Sequence, residues 1–312
     1  MTQYSSTSAA LLQMARAVQA AGYSFITLTP ATHARVNARP GSDLAANLRD
    51  VFGWSRRFRY GVVRPDILAL MQAAGVLIES EAGLRSAVRI SSLDGLLFLH
   101  SAYPTVAADA VFFGPDTYRF ARAILAHVKA GRPVRRAVDI GCGAGPGAIL
   151  VARAHPDAEV NAVDINQAAL RLTEVNAALA GVRVSAVDSN LLSAVPGTFD
   201  LIVANPPYLV DPGERAYRHG GGPLGAGLSL AILDAALERL APGGTLLLYT
   251  GAAIVNGADP FKEAAAVRLG GSGTNWTYEE LDPDVFGEEL ERGAYTSADR
   301  IAAVVLTVTR RE

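Results

Sequence analysis

The chain is poor in cysteine, histidine and long apolar runs, and each shortage excludes a class of protein. It has one cysteine among 312 residues, which excludes an intramolecular disulfide framework and any site of clustered cysteines. The five histidines are scattered and form no HExxH sequence, so no metal site is expected. No apolar run reaches the ~18–20 residues of a membrane helix, and the first residues lack a signal-peptide pattern. We therefore expect no membrane partner and take the cytoplasm as the default location.

Charge is also scarce, since charged residues make up 19% of the chain and the net charge is −2. The molecule as a whole is therefore not built to attract polyanions. The balance is uneven along the chain. Residues 1–110 carry 10 basic and 7 acidic side chains, a net of +3, which leaves 18 and 23, a net of −5, for residues 111–312. A nucleic-acid partner would have to be met by the N-terminal part.

The sequence changes character near residue 110. Before it, helical patterns at 8–20, 43–52 and 65–78 lead to two short apolar segments that turn at Asp94-Gly95, as in a β-hairpin. Helices followed by a hairpin predict a smaller α+β domain over 1–110, winged-helix-like, which would serve as a substrate-recognition or lid domain.

After residue 130 short strands rich in Val, Ile and Leu alternate with helical stretches. This rhythm predicts an α/β, Rossmann-like domain over 111–312, with a parallel sheet covered on both faces. Near the end, WTYEEL (276–281) and RIAAVVLTV (300–308) are joined by an irregular segment without a crossover helix. The last strand is therefore expected to enter the sheet antiparallel.

A glycine-rich turn, VDIGCGAGPG (138–147), follows the first predicted strand of this domain. Glycine lets a tight turn reach positive φ and lets a ligand approach the backbone. Pro146 stands where a dinucleotide fingerprint has its third glycine, and no GK[ST] follows, which excludes a P-loop. Asp139, just before the glycines, suits a ligand with a positive charge rather than phosphates. Taken alone, such a turn is as often structural as functional. Its glycines are Gly141, Gly143 and Gly145.

Two further predicted strands also end in an acid. Asp164 can accept hydrogen bonds from both hydroxyls of a ribose. In dinucleotide-binding folds, an acidic residue about 20 positions after the glycine-rich turn has this role. Asp188 ends the next strand, close enough in such a fold to meet an adenine amino group. Each aspartate alone could be a helix cap or turn former, but three successive strands ending in Asp favour a binding edge. Neighbouring residues assigned to the same cofactor site are Cys142, Ile165 and Ser189.

The most specific motif ends the fourth strand, at Asn205-Pro206-Pro207-Tyr208. Neither proline can donate a backbone hydrogen bond, so the turn is a row of acceptors beside one side-chain amide. One N–H of a substrate –NH₂ can donate to the Asn205 side-chain oxygen and the other to the Pro206 carbonyl. Tyr208 offers a face on which a planar amide or base could stack. We assign these four residues as catalytic, and Asn205 also borders the cofactor site.

With these motifs in place, residues 111–312 resemble class I S-adenosylmethionine (SAM)-dependent methyltransferases with an NPPY motif. The resemblance is strongest to release factor glutamine methyltransferases of the HemK/PrmC type and to the methyltransferase-small group. It implies a seven-stranded sheet with its last strand antiparallel, SAM held by the glycine turn, Asp164 and Asp188, and the target nitrogen held by Asn205 and Pro206. S-Adenosylhomocysteine (SAH) would be the product.

The segment FFGPDTYRFARAI (112–124) lies where the resembled enzymes have a Pro-Asp-Thr stretch that opens a helix across the cofactor site. Asp116 or Thr117 would cap that helix, and Phe113 and Asp116 are assigned, with Tyr208, to substrate binding. Two departures concern the substrate rather than the chemistry. Gly114 replaces the usual arginine, and residues 1–110 do not resemble the helical bundle of the release factor enzymes.

These observations predict a SAM-dependent N-methyltransferase that acts on a planar nitrogen, foremost a glutamine side chain of a protein. The first alternative is an exocyclic amine of an rRNA or tRNA base, because residues 54–64 (WSRRFRYGVVR) interleave arginines with aromatic side chains. The second is a small-molecule enzyme of secondary metabolism, and the third is a non-catalytic SAM-binding module. The sequence leaves the oligomeric state open.

Overall fold

The computed structural model describes residues 5–211, 213, 215, 217–291 and 293–312. Its N-terminal part has the predicted α+β composition. The elements are α1 (Ser6–Ala20), α2 (Pro30–Asn37), α3 (Leu48–Phe52), α4 (Pro65–Ala73), β1 (Leu77–Ser80), β2 (Gly83–Ser86), β3 (Val88–Leu93) and β4 (Leu96–Ser101). Strands β1 and β2 pair antiparallel, as do β3 and β4, and the β3–β4 turn at Asp94-Gly95 is the predicted hairpin.

The N-terminal helices differ from the prediction at several places. The helix expected over 43–52 begins only at Leu48, because the side chain of Asn47 accepts a hydrogen bond from the Asp50 N–H at 3.0 Å. The helix expected over 65–78 ends at Ala73, and the predicted helical residues 77 and 78 are part of β1. Helix α2 was not predicted. It begins after Thr29, whose hydroxyl accepts from the Thr32 N–H at 3.2 Å.

The C-terminal part alternates strands and helices as predicted. Its elements are α5 (Pro115–Lys129), β5 (Arg136–Ile140), α6 (Pro146–Ala154), β6 (Glu159–Asp164), α7 (Gln167–Ala180), β7 (Ser185–Asp188), β8 (Phe199–Ala204), α8 (Gly227–Arg239), β9 (Leu240–Ile254), α9 (Pro260–Leu269), β10 (Thr274–Asp282) and β11 (Arg300–Arg310). Over the described ranges the seven strands β5 to β11 form one sheet in the order β7-β6-β5-β8-β9-β11-β10.

The sheet confirms the predicted Rossmann-like topology. Strands β5 to β9 run parallel to one another, whereas β11 is antiparallel to both β9 and β10. The last strand of the chain is therefore the antiparallel one. The strand order reverses between β5 and β8, so this fold places its ligand crevice at the carboxyl ends of those two strands.

The N-terminal part packs against helix α7 of the sheet domain, and both contribute to one hydrophobic core. The fully buried side chain of Asn176 joins them. It accepts from the Leu99 N–H at 2.8 Å and donates to the carbonyls of Leu99 at 3.0 Å and Ala144 at 2.8 Å. In the described ranges, no helix has the length and apolar character needed to cross a bilayer.

Candidate active site

A cavity of about 430 Å³ lies at the carboxyl ends of β5, β6 and β8, a size typical of small-ligand sites. Residues 141–144 of the glycine turn and residues 205–208 of the turn after β8 both line it. The end of β6, the start of α5 and residues 29–31 of the N-terminal part complete the wall. Two motifs more than 60 positions apart in the sequence thus face one space.

The glycine turn supplies backbone to the cavity at Gly141 and Gly143. Gly143 has φ +54° and its N–H donates to the Asp164 carboxylate at 3.0 Å, which ties the first loop to the second strand. Gly145 does not line the cavity. It caps helix α6 with φ +83°, and a Cβ there would lie 2.9 Å from the Thr173 side chain. Its need for glycine is therefore a matter of packing, which differs from the predicted contact with the cofactor.

Asp139 lies at the base of the cavity, 1% exposed, and accepts from the Ala148 N–H at 2.9 Å. Burial raises the pKa of this carboxyl to about 7, opposed by the Ala148 hydrogen bond and reinforced by the negative charge of Asp164. A carboxylate that is costly to ionise in isolation gains from a cationic partner. The site therefore favours a positively charged group next to Asp139.

Asp164 is held by backbone on both carboxylate oxygens. One accepts from the Gly143 N–H and the other from the Asn166 N–H at 2.9 Å, and burial raises the pKa of the carboxyl against these bonds. Ile165 follows directly, lines the cavity and is 64% exposed. A fixed acceptor beside an exposed apolar face suits a ligand that carries hydroxyls next to a flat apolar group.

The end of β7 differs from the prediction. Asp188 is exposed, its carboxylate accepts from the Gln167 side chain at 2.7 Å, and it is not among the residues that line the cavity. Ser189 does line it, but its hydroxyl donates to the Leu191 carbonyl at 2.8 Å and accepts from the Ala194 N–H at 3.0 Å. Here the cavity is bordered by the turn after β7 rather than by the aspartate.

Cys142 lines the cavity but is 3% exposed, with its sulfur 3.5 Å from the Thr173 hydroxyl. Burial raises the pKa of the thiol well above its ordinary value. A protonated, buried thiol is a poor nucleophile. Cys142 therefore contributes shape to the glycine turn rather than reactivity.

The turn after β8 presents an unpartnered amide to the cavity. Asn205 is half-buried, and among the residues that the structure describes its side chain has no hydrogen-bond partner. Pro206 and Pro207 line the cavity beside it. The motif therefore offers one free side-chain amide next to backbone carbonyls, the arrangement that an –NH₂ group requires.

Tyr208 supports this turn from behind rather than offering an open face, contrary to the predicted stacking role. It is 6% exposed, its ring abuts Gly251, where a Cβ would lie 2.3 Å away, and Phe286 meets it edge-on at 5.9 Å. Its hydroxyl donates to Asp116 at 2.6 Å. The ring borders the cavity, but its surroundings are filled by the protein.

Asp116 also has a different role from the predicted one. Its carboxylate is buried and accepts from the hydroxyls of Tyr208 at 2.6 Å and Tyr249 at 2.7 Å and from the Arg119 guanidinium at 3.0 Å. Burial and the charge of Asp116 raise the pKa values of both tyrosines, which keeps them protonated as donors. With three donors in place, Asp116 holds protein groups rather than substrate.

The start of α5 corrects two further assignments. Gly114 is the N-cap, not Asp116 or Thr117, and its N–H donates to the Thr117 hydroxyl at 3.2 Å. Phe113 does not line the cavity, because its ring stacks on His100 at 5.0 Å and meets Tyr118 edge-on at 5.6 Å. The preceding Phe112 lines the cavity instead.

The arginine-rich stretch 54–64 is largely occupied with structural contacts. Phe58 is fully buried and Trp54 packs edge-on against Phe25 at 5.3 Å. Arg56 pairs with Asp50 and Arg64 with Asp66. The side chains left exposed are Arg57, Arg59, Tyr60 and Arg64. None of the stretch lines the cavity, so only part of the predicted RNA-binding set remains available.

Several lining residues had no sequence signal. Thr29, Pro30 and Ala31 reach the cavity at the start of α2, and Tyr217 and Phe286 come from loops without periodicity. Only the Thr-Pro pair could have been recognised, as a helix start. Within the described ranges, His, Cys, Asp and Glu side chains form no group of three or more that could hold a metal ion.

Comparison with known proteins agrees with this architecture. Residues 105–254 match the methyltransferase small domain. The chain is 32% identical to the release factor glutamine methyltransferase of Neisseria gonorrhoeae over 206 residues, 61% of this chain and 71% of that one. It is 39% identical to the ribosomal protein uL3 glutamine methyltransferase of Bordetella pertussis over 131 residues, 38% of this chain and 44% of that one.

A solved structure shares the fold at low sequence identity. Trm5b from Pyrococcus abyssi superimposes with a TM-score of 0.50 and 17% identity, covering 75% of this chain and 62% of that one. The chain spans only 44 to 62% of the length of three other release factor glutamine methyltransferases that it resembles. From the methyltransferase small domain and the extended match to the Neisseria gonorrhoeae enzyme, we conclude that this chain belongs to the family of the release factor glutamine methyltransferases.

Proposed function

We propose that this chain transfers the methyl group of SAM to the side-chain amide nitrogen of a glutamine in a protein, leaving SAH. Its relatives named for the modification of release factors and of ribosomal protein uL3 support a protein glutamine as the acceptor. The fold supports the cofactor, since the crevice lies at the carboxyl ends of β5 and β8, where such sheets bind ligands.

The cavity has groups suited to each part of SAM, which supplies an electrophilic methyl on a sulfonium. Asp139 would pair with the amino group, because its carboxyl gains from a cation. Asp164 would accept from the ribose hydroxyls, with its orientation fixed by two backbone N–H groups. Ile165 would cover a face of the adenine.

The single observation that carries the proposal is the unpartnered side chain of Asn205 in a cavity shared with the glycine turn. Its oxygen would accept one N–H of the substrate amide, and the carbonyl of Pro206 would accept the other. Held this way, the nitrogen directs its lone pair away from both acceptors and into the cavity. The contribution of these residues is orientation at roughly 3–3.5 Å between reacting atoms.

No strong base is needed at the amide. The leaving thioether is neutral, so the nitrogen can lose its proton after the new bond forms. Tyr208 and Tyr249 are not candidates for the base, because burial and Asp116 keep both hydroxyls protonated. The carbonyl of Pro206 accepts the hydrogen bond that weakens this N–H, and the proton passes to solvent.

The charge around the cavity favours a protein acceptor over RNA. Among the described residues, five acidic side chains line it, against two arginines. Arg119 pairs with Asp116 and Asp282, and Arg218 pairs with Asp211 and Glu289, so both cations are already neutralised. A polynucleotide needs free cations for its phosphates. The acidic lining residues are Asp116, Asp139, Asp164, Asp284 and Glu288.

The experiment uses lysate from cells that lack this protein, incubated with the purified chain and SAM labelled in the methyl group. We expect label in a discrete protein band that survives ribonuclease and that mass spectrometry assigns to a methylated glutamine. The Asn205→Ala variant serves as the matched control and should leave that band unlabelled. Label released by ribonuclease would establish the RNA alternative instead, and label only in small molecules would contradict both.

A further inference from the structure

The cavity carries an aromatic pair that the proposed chemistry does not use. Phe112 and Tyr217 both line the cavity, and their rings are nearly parallel, with an angle of 10° and centroids 6.4 Å apart. Both side chains are half-buried. Two flat apolar faces in one orientation form a surface on which a planar group can stack.

Each ring is held in place by its surroundings. The Tyr217 hydroxyl donates to the Thr105 carbonyl at 2.7 Å and accepts from Arg215 at 3.1 Å, and the Arg215 guanidinium lies over the ring at 5.5 Å. Phe112 lies against Gly114, where a Cβ would come within 2.4 Å of the ring. Gly114 has φ −157°, a backbone conformation that any residue can adopt. Glycine is required here because the Phe112 ring fills the space that a side chain would need.

The surroundings of this pair are apolar rather than cationic. Pro30 and Ala31 from the N-terminal part line the same cavity, as does Phe286. The lining arginines are neutralised by ion pairs. A group that stacks on Phe112 and Tyr217 would therefore carry no negative charge, since no free cation is present among the described lining residues to meet an anion.

We propose that Phe112 and Tyr217 form an acceptor subsite, kept open by Gly114, that takes an uncharged aromatic side chain of the protein substrate close to the methylated glutamine. This inference rests on the proposed function for the identity of the acceptor. It makes the choice of substrate depend on the residue next to the glutamine as well as on the amide itself. Stacking of one ring on such a pair corresponds to a gain of about 2- to 10-fold in affinity.

The test is a binding measurement on the full chain saturated with SAH, by fluorescence anisotropy of labelled seven-residue peptides with a central glutamine. The residues beside the glutamine are phenylalanine, alanine or glutamate in otherwise identical peptides. We expect the phenylalanine peptide to bind about 2- to 10-fold more tightly than the alanine peptide, and the glutamate peptide to bind weakest.

Variants assign the preference to the subsite. Phe112→Ala and Tyr217→Leu should abolish the preference for phenylalanine, and Gly114→Ala should do so by displacing the Phe112 ring. Tyr60→Leu is the matched control, because Tyr60 is 69% exposed and does not line the cavity, and it should leave the preference unchanged. The affinity of each variant for SAH is measured alongside, so that a misfolded variant is recognised. The Gly114→Ala variant then replaces it in the test.

The outcomes separate the subsite from the proposed function. Equal binding of all three peptides, no binding of any of them, or a preference that survives Phe112→Ala and Gly114→Ala overturns the subsite. A phenylalanine preference without methyl transfer from labelled SAM to any peptide or lysate protein supports the subsite and counts against the proposed function. Methylation of peptides without a preference for phenylalanine supports the proposed function and counts against the subsite.

Discussion

Replacing Tyr208 by phenylalanine is expected to slow methyl transfer while leaving cofactor binding intact. The Tyr208 hydroxyl anchors the turn after β8 to Asp116 on helix α5. Asn205 precedes it by three residues in the same turn, so loss of the anchor frees the group that would orient the substrate nitrogen. The residues proposed for the cofactor, in the glycine turn and at the end of β6, are not part of this contact.

The magnitude follows from the type of bond. A hydrogen bond to a charged group contributes about 1.5–3 kcal/mol, so Tyr208→Phe and Tyr249→Phe should each lower the free energy of unfolding by about that amount. If roughly 1.4 kcal/mol of it is lost from the positioning of the reacting groups, turnover falls about tenfold. Because both hydroxyls donate to Asp116, the double variant should show a coupling of about 0.5–3 kcal/mol.

Tyr278 offers a matched control on another part of the sheet. Its hydroxyl donates to the Asp259 carboxylate at 2.5 Å, the same chemical contact, and it does not line the cavity. Tyr278→Phe should destabilise the fold by a similar amount and keep full turnover. The assays are urea unfolding followed by circular dichroism, SAM titration by calorimetry and single-turnover methyl transfer. Full turnover in Tyr208→Phe, or an equal loss in Tyr278→Phe, would refute the positioning argument.

Three further predictions concern the cofactor and the orientation of the substrate amide. Asp164→Ala should weaken SAM binding about 100-fold or more, because two hydrogen bonds to a carboxylate are lost, and calorimetry showing normal binding would contradict the ribose assignment. Asn205→Ala should bind SAM normally and lose about 100-fold in kcat from lost orientation, and unchanged kcat would contradict the orienting role of Asn205. A cationic ligand binds the ionised form of Asp139, whose pKa is about 7 before binding, so SAM affinity should rise with pH through about 7 and level off above. About a tenfold weaker affinity at pH 6 than at pH 8 is expected, and Asp139→Asn should remove this pH dependence.

The strand ends of the sheet domain could be predicted because their signals are local. Strands β5, β6 and β8 contain short apolar runs, and each is closed by a turn former or an acid within a few residues. The Pro-Pro pair after β8 and the glycines after β5 mark these ends without reference to the rest of the chain. Their meeting in one cavity then followed from the topology of parallel sheets.

The role of Asp116 could not be predicted in the same way. Its tyrosine partners are 92 and 133 residues away in the sequence, and only the folded chain brings the three together. The choice between Phe112 and Phe113 was equally out of reach. Both lie in a segment without periodicity. Phe113 is turned away from the cavity because its ring stacks on His100.

The N-terminal part was predicted less completely because its elements are short and weakly patterned. Helix α2 has eight residues, of which only His33 is buried, so it shows no apolar stripe. Strands β1 and β2 have four residues each, and the first continues an apolar pattern that is helical up to Ala73. Their identity depends on pairing with each other, which a single sequence does not reveal.

The amide of Asn176 has a consequence for how this chain can be divided or recombined. One side chain completes the backbone hydrogen bonding of Leu99, on an N-terminal strand, and of Ala144, in the loop that faces the cavity. An exchange of the first 110 residues would leave that amide with buried, unmatched polar groups beside the cavity. The two segments therefore constrain one another's evolution, and any graft must supply an extended strand at the position of residue 99.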